Sequence, residues 1–389
     1  MLSVLYNAYQ REASSLPVLL YRAMRRPQRV RRATVQTLTL FFYPHSRHWR
    51  VLAYAKKMST PLFSIVIPVY CGGDCAGHIL DNIVSQGLPP SDYEVILIDD
   101  ASPDDTPALI ANAIDDHPQC DARLLRRDVN GRQGAARNNG IDVAAGRYVL
   151  FLDHDDDFLP GALVALKGAI NNIGGYPDIV AFDYHEARND EVVPRLSFGG
   201  NIQEMLSGRD YIIKCAIPWT PWEYAYSLDF LRREKLRFEE GVRMEDSDFV
   251  MSCTLAARDI TYRPIAVVRH AVYDGQTSSI GNDVGKIEDM LKNSERVGQI
   301  ALRQMAVDRL SADVVVAQYR FKRRTCVMRY LWHLRHSDIH RLLRAYPAIV
   351  EISDGFNCFV SGYPRLTAVV LSMARPFLMA AWRVKRMLG

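Results

Sequence analysis

Residues 147–160 read RYVLFLDHDDDFLP, an apolar run that ends in a cluster of acidic side chains. The run up to Asp153 is short and rich in aromatic and aliphatic residues, which is typical of a buried strand. Four aspartates and one histidine make up residues 153–157. Carboxylates packed this closely repel one another, so the pattern favours a bound cation at the point where the strand ends.

Apolar runs upstream of this strand alternate with helical patterns. The runs lie at 63–70, 93–100 and 122–128, and the helical patterns lie at 75–87, from 106 onward and at 134–145. Strand–helix alternation with continuously apolar strands predicts an α/β fold on a mostly parallel sheet with flanking helices. Ligands bind beyond the carboxyl ends of such strands, which is where Asp99, Asp100 and Asp153 stand.

The distribution of charge divides the chain into three parts. Residues 1–60 and 317–389 each carry a net charge of +10, whereas residues 61–316 carry −16 and the whole chain +4. Basic ends suit anionic lipid, nucleic acid or an acidic partner, although the acidic middle repels nucleic-acid phosphates. Oligomerisation through the terminal helices is the alternative to membrane contact. We predict a basic helical N-terminal extension, an α/β domain and a helical basic C-terminal region. Their bounds are 1–60, 61–282 and 283–389.

Cysteine usage and hydropathy bear on where the protein works. The seven cysteines are scattered and odd in number, which is typical of a reduced intracellular protein. The N-terminus lacks a signal-peptide pattern. The most apolar segment, 366–382, is interrupted by Arg375 and falls short of the roughly 20 apolar residues of a membrane span. We therefore expect a cytoplasmic protein in peripheral contact with the inner face of the cell membrane.

Asp153 and Asp155 have the spacing that lets two carboxylates at a strand exit approach one divalent cation. Hard oxygen ligands suit Mg²⁺ or Mn²⁺, and phosphates can complete the coordination shell. The alternative is a solvated turn whose aspartates cap the next helix, which is the role expected for Asp157. The position at the end of a hydrophobic strand favours the metal site.

Two further groups of polar residues could take part in chemistry. The stretch NGRQGAARN over 130–138 joins a glycine-containing loop to a helix start, where backbone N–H groups and Arg137 could face a phosphate. It is not the dinucleotide fingerprint, so an NAD-type dehydrogenase is disfavoured. Glu245 and Asp246 precede an apolar helix, where they supply either helix N-terminal charge or a general base.

Aromatic residues and one histidine are candidate substrate contacts. Trp219 and Trp222 could stack on a sugar ring or belong to the core. His270 follows an apolar run and could contact a metal or a phosphate, or be an ordinary core histidine.

Four stretches in order carry a resemblance to a known family. They are FSIVIPVY, EVILIDDASPDDT, NGRQGAARNNGIDVAAGRYVLFLDHDDDFLPGAL and GVRMEDSDF. Over about residues 62–280 the chain resembles the family 2 glycosyltransferases of the GT-A fold, a Rossmann-like nucleotide-binding domain merged with an acceptor-binding half. Residues 61–282 are accordingly expected to be the GT-A domain.

The resemblance implies a role for each matching position. Pro68 and Tyr70 match the loop against the nucleotide base, Asp100 matches the aspartate that contacts the base, and Asp99 is its neighbour. Arg137 matches a basic residue near the base and pyrophosphate. Asp153 and Asp155 match the D-x-D pair that holds ribose and metal, with Asp155 the direct ligand, and Asp246 matches the catalytic base beside Glu245.

The resemblance implies a metal-dependent, inverting transfer of a sugar from a nucleotide-diphosphate sugar to a glycan or lipid-linked acceptor. A UDP-sugar is the favoured donor. The process implied is cell-surface polysaccharide or glycoconjugate synthesis. The Q-x-x-R-W motif and multiple membrane helices of processive polymerases are not found. A nucleotidyltransferase is one alternative, although its basic first loop does not match VYCGGDCAG, residues 69–77. A non-catalytic nucleotide-sugar-binding protein is the other.

Overall fold

The computed structural model describes residues 60–188, 191–195, 204–215, 220–273 and 284–315. The predicted N-terminal extension up to residue 59 and the predicted C-terminal region beyond residue 315 lie outside the described residues. So does the apolar segment 366–382. Among the described helices, none combines the length and the apolar character needed to cross a membrane.

The first half of the domain is a parallel sheet covered by helices. Its strands run in the order β3-β2-β1-β4, and every neighbouring pair is parallel. The elements are β1 (Phe63–Val69), α1 (Cys75–Val84), β2 (Tyr93–Asp99), α2 (Thr106–Asp116), β3 (Ala122–Arg126), α3 (Arg132–Val143) and β4 (Tyr148–Phe151). All of these elements were predicted, because long apolar runs alternate with helical patterns there.

The second half extends the sheet with mixed pairing. From β4 the strand order continues β8-β6-β9-β5, with β7 paired to β6. The elements are β5 (Asp157–Phe158), α4 (Ala162–Asn171), β6 (Ile179–Arg188), β7 (Glu191–Arg195), α5 (Gly208–Lys214), a 3-10 turn (Pro221–Glu223), β8 (Tyr224–Ser227), α6 (Leu228–Arg233), α7 (Asp246–Ala256), β9 (Ile260–Val272) and α8 (Val284–Met305).

The predicted α/β architecture is confirmed, and the second half shows where the sheet departs from a parallel one. β8 lies antiparallel between β4 and β6, while β6 and β9 pair in parallel. β8 has only four residues and stands in an aromatic-rich stretch without alternation, so periodicity could not reveal it. This antiparallel strand joins the two halves into one sheet.

The core forms two apolar clusters, one on each face of the sheet. Alternate side chains of β1 enter different clusters, since Val66 belongs to one, and Ile65 and Ile67 to the other. α3 and α7 pack on the first face, and α1 and α4 pack on the second. Each fully buried side chain of this size contributes roughly 1.5–3 kcal/mol, so the strand ends are held rigidly.

Candidate active site

Two aspartates at the end of β2 organise neighbouring loops. Asp99 is fully buried, and its Oδ1 accepts a hydrogen bond from the Ser102 N–H at 3.1 Å. Asp100 accepts from the Gly131 N–H at 2.9 Å and pairs with Arg127 at 2.9 Å. Burial raises the pKa of Asp100, and these two partners oppose that rise. Asp99 therefore shapes the turn, while Asp100 faces the loop before α3.

The end of β1 places the two residues of the predicted base-binding loop differently. Pro68 is buried within β1, where it lies opposite Ile98 of β2. The pairing of β1 with β4 ends earlier, at Val66. The missing N–H of Pro68 therefore costs no strand hydrogen bond on the β4 side. Tyr70 follows the strand and is 48% exposed, so its ring is available to a ligand.

The aspartates after β4 form a compact acidic cluster. One carboxylate oxygen from each of Asp153, Asp155 and Asp156 lies within 4.8 Å of the others. Asp155 accepts a hydrogen bond from the Tyr273 hydroxyl at 2.8 Å, a contact that no sequence motif marks. Asp153 and Asp155 are partly exposed, whereas Asp156 is only 1% exposed. This set of hard oxygen donors fits Mg²⁺ or Mn²⁺, with Asp153 and Asp155 the accessible members.

Asp156 is held from behind by His270, a predicted metal or phosphate contact or ordinary core histidine, and by the backbone of Ala271. His270 Nδ1 lies 3.0 Å from its carboxylate, and the Ala271 N–H donates to it at 2.9 Å. Trp222 stacks on His270 with ring centroids 5.0 Å apart. Burial would lower the pKa of His270, but the hydrogen bond to Asp156 and the nearby carboxylates outweigh it and raise that pKa.

The packing of Trp222 favours the second of its two expected roles, a place in the core. The ring is 4% exposed and also meets Tyr184 edge-on at 4.7 Å, so it has no free face for a sugar. Trp222 and His270 instead form a secondary layer that fixes the acidic cluster. Trp219 lies outside the described residues.

Asp157 does not cap the helix that follows, contrary to expectation. It lies in β5, where it contacts His78 Nε2 at 2.7 Å and Arg269 at 3.2 Å. The short pairing of β5 with β9 separates it from α4, which begins after Gly161 at a φ of +69°. The extra charge therefore joins β5 to both β9 and α1.

Arg137 joins the acidic cluster to the Glu245-Asp246 pair. Its Nη2 donates to Asp153 at 2.7 Å, and its Nη1 donates to Glu245 at 2.9 Å and to Asp246 at 2.6 Å. The side chain is fully buried. Its terminal nitrogens thus serve three carboxylates of the chain itself, which differs from the phosphate contact expected of it.

Glu245 and Asp246 differ in access to solvent. The side chain of Glu245 is 4% exposed and that of Asp246 is 32% exposed. Burial raises the pKa of both, Asp246 raises that of Glu245 further, and Arg137 opposes the rise in each. A partly exposed carboxylate whose pKa lies above its usual value is suited to accept a proton near neutral pH.

The α3 residues that bring this pair to the sheet were not among the predicted site residues. A Cβ on Gly134 would lie 2.4 Å from the Glu239 carbonyl oxygen and 3.1 Å from Glu245 Cγ, so only glycine permits the approach. The Asn138 amide donates to the Phe238 carbonyl at 3.0 Å and accepts from its N–H at 2.9 Å. Both belong to the GAARN stretch, but their partners lie about a hundred residues away in sequence.

Comparisons with known proteins bear on the family of this chain. Residues 64–237 match the model of a family described as glycosyl transferase family 2. The chain is 30% identical to an uncharacterized glycosyltransferase, EpsJ of Bacillus subtilis, over 49% of this chain and 56% of that protein. It is 33% identical to the GalNAc(5)-diNAcBac-PP-undecaprenol β-1,3-glucosyltransferase of Campylobacter jejuni, over 31% of this chain and 37% of that protein.

A third relative has a solved structure. The chain is 24% identical to the poly(ribitol-phosphate) β-N-acetylglucosaminyltransferase TarS of Staphylococcus aureus, over 81% of this chain and 52% of that protein. The crystal structure of TarS 1–349 with UDP-GlcNAc aligns with a TM-score of 0.57 at 17% identity, covering 80% of this chain and 90% of that one. The likeness confirms the predicted GT-A-type fold. The chain spans little more than half the length of EpsJ and TarS.

Proposed function

Residues 64–237 belong to glycosyltransferase family 2, and from that premise we propose that this chain is an inverting glycosyltransferase. It moves a sugar from a nucleotide-diphosphate sugar to a hydroxyl of a glycan or lipid-linked acceptor, and a UDP-sugar is the favoured donor. One observation carries the proposal: the Arg137 guanidinium binds both Asp153 of the D-x-D pair and Asp246. The candidate base therefore lies one side chain away from the donor edge of the sheet.

Asp246 acts as the base in this mechanism. Its partly exposed carboxylate takes the proton of the acceptor hydroxyl, whose oxygen bonds to the anomeric carbon as the bond to the diphosphate breaks. Attack from the face opposite the leaving diphosphate inverts the configuration at that carbon. Arg137 fixes the Asp246 carboxylate during the step, and the buried Glu245 keeps its shared hydrogen bond to Arg137.

The donor binds at the carboxyl edge of β1, β2 and β4. Tyr70 offers an exposed ring to the base, and Asp100 is placed beside the loop before α3. Asp153 and Asp155 would hold Mg²⁺ or Mn²⁺ together with the donor phosphates, with Asp156 supporting them. The ion, when bound, neutralises charge that develops on the leaving diphosphate.

The identities of donor and acceptor rest on the relatives. The TarS structure contains UDP-GlcNAc, which supports a UDP-sugar donor. The Campylobacter relative is named for an undecaprenol-linked acceptor, and TarS for poly(ribitol-phosphate). Both names support a role in cell-surface polysaccharide or glycoconjugate synthesis.

A donor screen tests the reaction. The full chain is incubated with a panel of nucleotide sugars, Mg²⁺ or Mn²⁺ and simple glycan or polyprenyl-linked acceptors, and release of nucleoside diphosphate is followed. We expect one donor to be consumed, with a product of inverted anomeric configuration by NMR. Asp246→Asn should lose transfer by roughly 10³-fold and keep donor binding. Transfer by this variant within about tenfold of the unaltered protein would remove Asp246 from the role of base.

Asp229→Asn is the matched control for that substitution. Asp229 also lies in the first turn of a helix, α6, but is exposed, and α6 begins beside the start of β4, opposite the end that leads to Asp153. If Asp246 supplied only helix N-terminal charge, the two variants would behave alike. Binding of a donor without turnover by the unaltered protein would instead support the non-catalytic alternative.

Membrane contact is a separate part of the proposal, supported by the net charge of +10 at each end of the chain. The full chain should sediment with vesicles that contain anionic lipid, and added salt should release it. Vesicles of neutral lipid are the control. Equal sedimentation with both would count against electrostatic docking and favour an oligomer contact.

A further inference from the structure

One face of α8 meets the segment that carries the candidate base. Asp289, Asn293 and Arg296 are spaced by four and three residues, so they lie on the same side of the helix. Each makes a polar contact with residues 243–248, which surround Glu245 and Asp246. The helix α8, which follows the region 64–237 that matches the family, is thus bound to residues 243–248, the base-bearing turn.

Asn293 lies at the centre of this face and is 3% exposed. Its Nδ2 donates to the Met244 carbonyl at 2.8 Å, and its Oδ1 accepts from the Ser247 hydroxyl at 2.8 Å. Met244 immediately precedes the Glu245-Asp246 pair, and Ser247 immediately follows it. A single amide therefore binds the chain on both sides of the candidate base.

Two ion pairs flank the amide. Arg243 Nε lies 2.7 Å from Asp289, and Arg296 donates to the buried Asp248. Burial raises the pKa of Asp248, and Arg296 opposes that rise. The pairs set the register of α8 against the segment, so that Asn293 can reach both of its partners.

The backbone of the segment explains why such a restraint is needed. Met244 has a φ of +62°, a left-handed conformation that is unfavourable for a side chain of its type. Such a conformation persists only where surrounding contacts over-determine it. Arg137 holds the carboxylate of Asp246 from the sheet side, through hydrogen bonds to side-chain oxygens. The Asn293 amide supplies a second restraint.

We propose that Asn293 is a positioning residue for Asp246, and that α8 presents it to the base-bearing turn. The inference rests on the proposed role of Asp246 as the base. Asn293 contacts backbone and hydroxyl groups of the chain, and it acts through Asp246. Loss of the Asn293 amide should therefore lower the rate of the transfer step without weakening donor binding.

The test compares Asn293→Ala with Gln299→Ala in the full chain. Gln299 also carries an amide on α8, but it is exposed. We expect Asn293→Ala to lower kcat by roughly 10- to 100-fold while the donor KM changes less than about threefold. Gln299→Ala should match the unaltered protein. A kcat for Asn293→Ala within about threefold of the unaltered protein would overturn the proposal, as would parallel losses in kcat, donor KM and Tm.

Amide hydrogen exchange separates this proposal from the proposed function. In Asn293→Ala, peptides that cover 243–249 should exchange at least about tenfold faster, whether or not a donor and acceptor have been found. Unchanged exchange would refute the restraint even in an active enzyme. Fast exchange in a protein that transfers no sugar would refute the proposed function alone. If Asn293→Ala does not fold, Ser247→Ala replaces it in the test. This change removes one of the two hydrogen bonds and should speed up exchange in the same peptides by a smaller factor.

Discussion

The donor edge of the sheet and the base-bearing segment are held in place by different means. Asp100 and Asp153 follow β2 and β4, which are buried along their whole length in a parallel sheet. Residues 238–248 form no strand and depend on side chains that reach them from α3 and α8. Backbone pairing and apolar packing secure the first region. The second region enters the core at Phe238, and hydrogen bonds and ion pairs secure the residues that follow it.

This difference predicts two kinds of variant. Substitutions of donor-edge residues that do not hold the metal should weaken donor binding and leave the transfer step at saturating donor nearly unchanged. Substitutions in the contacts of the base-bearing segment should lower the transfer rate and leave donor binding nearly unchanged. Arg137 contacts both regions, so its substitution should affect donor binding and transfer together and is the strongest test of the difference between them.

Arg137→Leu should have the largest effect. It leaves Asp153, Glu245 and Asp246 without their shared cation, and loss of one partner of a buried ion pair costs roughly 3–5 kcal/mol. We expect that loss in the free energy of unfolding, measured with denaturant, together with loss of both donor binding and transfer. Arg303→Leu, at an exposed position on α8, should change the free energy of unfolding by less than about 0.5 kcal/mol. A stable Arg137 variant that still binds donor would show that the two regions are independent.

Gly134→Ala should separate the regions. The new methyl group would overlap the Glu239 carbonyl oxygen, which forces the base-bearing segment away from α3 at a cost of about 1–3 kcal/mol. Transfer should fall while donor affinity, measured by calorimetry, remains. Gly168→Ala is the matched control, because this helical glycine of α4 has open space around it and should gain about 0.5–1 kcal/mol. Equal effects of the two changes would argue against a close-packing role for Gly134.

Asp100→Asn should give the opposite pattern. The change removes the charge that pairs with Arg127 and any charge-assisted bond to the nucleotide, so donor affinity should fall about tenfold. The rate at saturating donor should stay close to that of the unaltered protein. Asp105→Asn, at an exposed position before α2, is the control. A loss of kcat with unchanged donor affinity would move Asp100 out of the donor edge.

The pH dependence should show the smallest effect. Burial raises the pKa of Asp246, and protonation of the base stops transfer, so kcat should fall on the acid side at a pH above the ordinary aspartate pKa of 3.8. A carboxylate with a raised pKa also adds stability at low pH, which is lost as the pH rises through its folded-state pKa. Measurements of kcat between about pH 5 and pH 8 would test this fall on the acid side. A rate that is constant down to about pH 5 would contradict the shift.

Most of the parallel half could be predicted from the sequence, because β1, β2 and β4 are continuous apolar runs and aspartates follow β2 and β4. The antiparallel β8 and the two-residue β5 could not, since their pairing is decided by distant partners. The same holds for Asn293, whose partners lie 46 and 49 residues away. Arg137 stood out within its motif, but its enclosure by three carboxylates depends on how α3 packs. Local patterns predicted which residues are special, and tertiary contacts decide what those residues touch.

The reach of Arg137 to Asp246, across 109 residues of sequence, has a consequence for recombination between relatives. A chimera that joins the donor half of one relative to the acceptor half of another would separate α3 from residues 238–248. Because Gly134, Arg137 and Asn138 match that segment in shape and charge, a functional breakpoint has to transfer them together with it. The family match ends at residue 237, before the segment begins, so that boundary is a poor guide to where such a protein can be cut.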